Sequence, residues 1–108
     1  VSGGVRRVVA TAEEARRALE TEGWRVAVLD AGSRAELFAQ AHRALGRTGG
    51  ANLDALWDLL RDVEAPLALV WETWGEVAAA DPGWFRRVLA VFEARAGEPG
   101  EPVVLVLL

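Results

Sequence analysis

Asp54 and Asp58 stand four residues apart in Gly49-Gly50-Ala51-Asn52-Leu53-Asp54-Ala55-Leu56-Trp57-Asp58-Leu59-Leu60, a stretch otherwise almost wholly apolar or small. Two carboxylates at this spacing share one face of a helix. They could hold a divalent metal for phosphoryl transfer, or meet the basic groups of another molecule. The metal-dependent enzyme stands as the alternative from a different class. Against it, both acids lie on one helix, with no third ligand or base evident at another strand end and no phosphate-cradling glycine loop after a strand. Other chemistry is scarcer still. The chain has no cysteine and one histidine, which excludes disulfides, thiol catalysis and thiolate zinc and leaves little for a histidine-dependent triad. His42, between Ala41 and Arg43 with no acid or nucleophile spaced to use it, is expected at the surface or the core boundary. No cofactor is expected.

The acids need a helix to position them. At about 100° per residue, Leu53, Leu56, Trp57 and Leu60 form an apolar stripe, while Asp54, Asp58 and Asp62 step along the opposite side with Arg61 among them. The ordinary reading of such a side is a solvated exterior. Two features argue for more. Like charges at i and i+4 cost a helix about 0.2 to 0.5 kcal/mol, and Trp57 flanks the acids at the stripe's edge, with part of its ring able to face water. The helix dipole favours Asp54 in the first turn but helps Asp58 much less.

The 108-residue length suits one small domain, 52% apolar and 26% charged, with no apolar run near the roughly 18 residues of a membrane span. The opening VSGGVRRVVATAEE has no apolar core of a secretion signal, so a soluble, cytoplasmic protein is the expectation. The net charge of −4 conceals an asymmetry: residues 1–47 carry 8 arginines and 6 acids, residues 48–108 carry 4 arginines and 10 acids. The acidic half holds Asp54 and Asp58. That balance argues against nucleic acid, which needs a basic stripe, and allows a basic protein partner. All 12 basic residues are arginine, a pattern read as base bias in the coding sequence.

Strands alternate with helices along the chain, the signature of a mostly parallel sheet with crossover helices. A short strand is predicted over Val5 to Val9, then a helix opened by the Thr11/Glu14 capping box and closed before Gly23. Trp24 to Leu29 reads as a buried strand. A second capping box, Ser33/Glu36, opens a helix that Gly46 stops. Asn52 caps the acidic helix, which runs to about Asp62 before Ala65-Pro66. Leu67 to Trp71 is the next strand, and Thr73/Glu76 caps a short helical turn. Asp81-Pro82 starts a helix through about Ala96 with an apolar face of Phe85, Val88, Leu89 and Phe92. Val103 to Leu108, with no polar side chain, is a strand interior to the sheet. Trp71 and Trp74 are assigned to the core or its edge, and Trp84 is left open between core and surface. Gly49-Gly50 is a flexible turn, or a backbone that must lie close to another protein.

The segment Gly50-Ala51-Asn52-Leu53-Asp54-Ala55-Leu56-Trp57-Asp58-Leu59-Leu60 resembles the G-x-N-x-D-A-L-x-D-x-L motif of barstar-like proteins, the intracellular inhibitors of barnase-type ribonucleases. The surrounding elements resemble that family from Trp24 to the C-terminus, in the same order. The resemblance implies an α/β, two-layer barstar-like fold: a small parallel sheet of three strands packed with helices, in a single domain over residues 1–108. Residues 1–22 are an extension able to add a fourth strand and a helix at one edge. It further implies that Asp58 matches the central acid placed in the ribonuclease's active site in lieu of RNA phosphate, and that Asp54 matches the neighbouring acid. Asn52 and Gly50 match the loop lying against the enzyme, and Trp57 matches an aromatic in the contact. Gly49, Thr48, Leu53, Arg61, Asp62 and Glu93 complete the expected partner-binding set.

The departures from the family pattern are specific. Thr48 and Gly49 replace two usual aromatics, Ala51 an acid or polar residue, and Val63 falls near another aromatic. On the last helix a contacting glutamate aligns with Ala94, while Glu93 sits one position earlier. The expected function is therefore a non-enzymatic ribonuclease inhibitor acting by steric and electrostatic occlusion, monomeric when free, with no nucleic acid and no membrane as partner. Its partner is a basic, extracellular-type (barnase-like) ribonuclease, or a related toxin nuclease against which the chain acts as an immunity protein or antitoxin.

Overall fold

The computed structural model describes residues 3–108 and consists of β1 (Gly4–Arg7), α1 (Ala12–Thr21), β2 (Arg25–Leu29), α2 (Arg34–Ala44), α3 (Leu53–Arg61), β3 (Leu67–Trp71), α4 (Trp74–Ala80), α5 (Pro82–Ala96) and β4 (Val103–Leu107). The strands form one sheet in the order β1-β4-β3-β2, every pair parallel. β3 and β4 are buried along their whole length, as their unbroken apolar sequence requires of interior parallel strands. No helix among the described residues is long and apolar enough to cross a membrane.

Alternation along the strands divides the core in two. Leu29, Leu67, Leu69, Trp71, Val103, Leu105 and Leu107 meet the buried sides of α2, α3, α4 and α5. Ala68, Val70, Val104 and Val106 point the other way, onto Ala15 and Leu19 of α1 and onto Trp24. The extension thus supplies the fourth strand, and its helix covers the second face, so the expected two layers become three. Residues 1 and 2 of that extension lie outside the described ones. Val9, expected in the first strand, is 97% exposed and beyond it.

Local signals set most helix starts. Thr11 and Glu14 form the complete capping box of α1. At α2 the Glu36 amide donates to Ser33 Oγ at 3.2 Å, while the Glu36 carboxylate reaches the Gly32 amide at 3.4 Å. The expected Thr73 cap of α4 does not form. Its hydroxyl instead donates to the Ala31 carbonyl at 2.7 Å, which also accepts from Trp71 Nε1 at 2.8 Å. Thr73 sits at φ −108°, ψ 25°, outside the extended conformation that a capping residue adopts, so its hydroxyl oxygen accepts no helix amide while its proton goes to the carbonyl.

Asp81 caps α5 by accepting from the Trp84 amide at 3.0 Å, and its other oxygen pairs with Arg34. The Trp84 N–H, reinforced by Arg34 and Arg87, holds the Asp81 carboxyl below its ordinary value of 3.8. A carboxyl depressed in the folded state contributes stability that is present above its unfolded value and lost as pH falls through the folded one. Thermal melts followed downward from about pH 6 should therefore lose stability below about pH 4. Asp81→Asn, which keeps the capping oxygen but not the charge, should lose less over that interval; an equal loss in both proteins would exclude Asp81 as a contributor.

Candidate functional site

The acidic helix begins at Asn52, whose side-chain oxygen accepts from the Ala55 amide at 2.8 Å. Leu56, Leu59 and Leu60 are buried. The predicted stripe therefore turns slightly: Leu59 joins the core, Leu53 packs on it half-buried, and Trp57 is half-exposed at the margin. On the solvent side Asp54, Asp58, Arg61 and Asp62 are exposed. Asp62 is engaged, accepting from Arg47 Nη1 at 3.0 Å. Asp54 and Asp58 make no ion pair among the described residues. Two unneutralised carboxylates thus project from a helix whose opposite side is locked into the core.

The loop before this helix rests on His42. The ring is 7% exposed, its Nε2 lies 3.3 Å from the Gly50 carbonyl oxygen, and its buried Nδ1 has no hydrogen-bond partner among the described residues. This corrects the expectation of a surface or boundary histidine. The signal was present in the spacing: His42 follows buried Phe38 by one helical turn and so shares its inward side. Gly49 lies directly against the imidazole, where an added Cβ would come within 2.2 Å of His42 Cε1. Glycine is therefore needed here for space. His42, Arg47, Thr48, Gly49, Asp58 and Asp62 line one hollow of about 210 Å³.

A Gly49→Ala substitution must displace either the loop or the imidazole. The expected result is a fall in melting temperature for the single variant, with partial recovery in Gly49→Ala/His42→Ala, where the obstructing ring is gone. Additive losses around that double-mutant cycle would refute the contact.

Residues 24–107 match the family model described as Barstar (barnase inhibitor). The chain belongs to the barstar family. No individual curated protein matches it. The barstar family is one of inhibitors, not enzymes, and its members bind barnase-type ribonucleases. The match begins at Trp24 and so leaves β1 and α1 outside, while it includes α3, the preceding loop and α5.

Within this barstar-family frame the structure brings Thr48, Gly49, Gly50, Asn52, Leu53, Asp54, Trp57 and Asp58 together on α3 and its loop. Glu93 is exposed on α5 and does not line the hollow beside the loop. One structural residue had no counterpart in the sequence reading. Arg95, 2% exposed, donates from Nε to the Leu60 carbonyl at 2.8 Å and from Nη2 to the Glu101 carbonyl at 2.7 Å. It ties the end of α3 to α5, satisfying a carbonyl left over where the helix stops. Its position three residues after buried Phe92 is the only cue the sequence offers.

Proposed function

We propose that this protein inhibits a basic ribonuclease of the barnase type by laying α3 and the loop before it across the enzyme's active site. Asp58 stands in for an RNA phosphate, and Asp54 meets a neighbouring basic residue. The observation that carries the reading is the pair of exposed carboxylates, free of ion pairs among the described residues, on a helix held rigid from behind. A cleft built to bind phosphate offers guanidinium, ammonium and imidazolium donors, and carboxylates replace phosphate as their acceptors. Because the helix is already ordered, little conformational entropy is lost on binding. Trp57 and Asn52 flank the acids as contact residues, and the excess negative charge of residues 48–108 speeds encounter with a basic enzyme.

An immunity protein against a different toxin nuclease would use the same helix. The feature favouring that reading is the loop, where Thr48 and Gly49 present no aromatic ring to a partner. A panel of small guanyl-specific bacterial ribonucleases, assayed by RNA cleavage with the protein added, tests both. Slowing of at least one enzyme, weakening as salt is raised, is the expected result. If none is slowed but another basic toxin nuclease is, the second reading holds; if no nuclease is slowed, inhibition is wrong.

A further inference from the structure

The loop from Gly49 to Leu53 runs between two hollows of opposite character. One is lined by Asp58, Asp62 and Arg47, and since Arg47 pairs with Asp62, the Asp58 carboxylate leaves it net acidic. The other, of about 390 Å³, is formed where α2, α5 and the start of α3 meet, and Arg34, Arg87 and Trp84 line it. Trp84 is buried and fixed: Phe38 packs edge-on at 5.7 Å, and the Arg34 guanidinium lies over the indole at 4.8 Å. Arg34 also pairs with Asp81, so its orientation is set from two sides. Arg87 follows Trp84 by three positions, one turn along α5, and is exposed with no ion pair among the described residues. Asp81 offsets one of the two arginine charges and leaves the other uncompensated. The partner-facing surface is therefore bipolar, with an acidic helix face and a basic, aromatic-floored hollow sharing Asn52 and Leu53 as their boundary.

We propose that this Arg34–Arg87–Trp84 hollow receives a carboxylate side chain from the rim of the same nuclease that α3 blocks. The inference rests on the inhibitor reading above and adds to it a chemical requirement on the target. Guanidinium forks recognise carboxylate by paired hydrogen bonds, and Arg34 is ordered before binding, so less freedom is lost on contact. A basic active site flanked by an acid matches the inhibitor's two halves in register. A nuclease with a lysine or arginine at that flank meets like charge and is rejected.

Arg87→Glu and Arg86→Glu make the same change in net charge at adjacent exposed positions of α5. Both full-length variants, with Arg87→Ala as a milder substitution, are to be measured for association and dissociation against whichever panel ribonuclease the parent inhibits best. Unchanged melting temperatures establish folding. The expected result is a dissociation rate raised about tenfold or more by Arg87→Glu and several-fold by Arg87→Ala, while Arg86→Glu changes mainly the association rate. Equal effects at the two positions would reduce the hollow to long-range electrostatics and overturn the proposal. So would binding of a short RNA to the free protein that Arg87→Glu abolishes. Loss of inhibition in Asp58→Ala with none in Arg87→Glu sinks this inference and leaves the inhibitor reading standing; a parent that slows no nuclease removes both.

Discussion

Asp58→Ala is expected to fold like the parent and to lose at least about a hundredfold in inhibition of the target ribonuclease. The two halves of that expectation have separate physical grounds. Asp58 is exposed and joined to no basic residue by an ion pair among the described ones, so removing it breaks no native contact of that kind. Alanine has the higher helix propensity, and the repulsion between Asp54 and Asp58 disappears, so the variant should melt no lower than the parent. In the complex the balance reverses. A carboxylate accepting from charged donors contributes about 1.5 to 3 kcal/mol per hydrogen bond, and two such bonds amount to roughly a hundredfold or more in affinity. Truncation also leaves the nuclease's own cations desolvated without an acceptor. Inhibition constants from RNA-cleavage assays, beside melting temperatures for both proteins, check the pair of statements. A variant that inhibits as well as the parent would rule out phosphate mimicry by this helix.

The largest effect on stability is expected at Trp71. Its side chain is fully buried at the end of a central strand, with the Phe85 ring 5.9 Å away and its Nε1 donating to the Ala31 carbonyl. Trp71→Ala removes the most voluminous fully buried side chain and opens a cavity, at a cost of about 3 to 5 kcal/mol. For a domain of this size that corresponds to a fall in melting temperature on the order of 15 °C or more. Trp71→Phe should cost much less. It retains an aromatic ring on that strand, and the Ala31 carbonyl still accepts from the Thr73 hydroxyl, so no buried acceptor is left bare. Thermal denaturation of the two variants side by side tests the account, and similar losses in both would mean that the Nε1 hydrogen bond, rather than packing, is the dominant contribution.

Much of the site was legible beforehand because it depends on short-range rules. Asn52 caps α3, periodicity sends Leu56 and Leu60 inward, and the same periodicity sends Asp54 and Asp58 outward. The strands at Leu67–Trp71 and Val103–Leu107 followed from unbroken apolar runs, and Pro82 opened α5 after its aspartate cap. The errors cluster where a residue's fate depends on a distant partner. His42 reads as polar from its neighbours, yet it is buried because the loop from Gly49 to Gly50 folds back over it. Thr73 has the spacing of a cap, but Ala31, far away in sequence, claims its hydroxyl. Arg95 has Glu93 and Glu98 close by in the chain, yet its partners are backbone carbonyls of two other segments.

By itself the sequence determined the order of the elements, the outward placing of the two carboxylates and the resemblance to barstar-like inhibitors. These follow from helical and strand periodicity, capping and a local motif, all confined to windows of a few residues. Tertiary structure alone decided that β1 joins β4, that α1 covers the second face of the sheet, and that Arg34, Trp84 and Arg87 meet beside the acidic helix. Those contacts join segments separated by many tens of residues. Their formation depends on how whole faces bury one another, and no pattern within a single element encodes that.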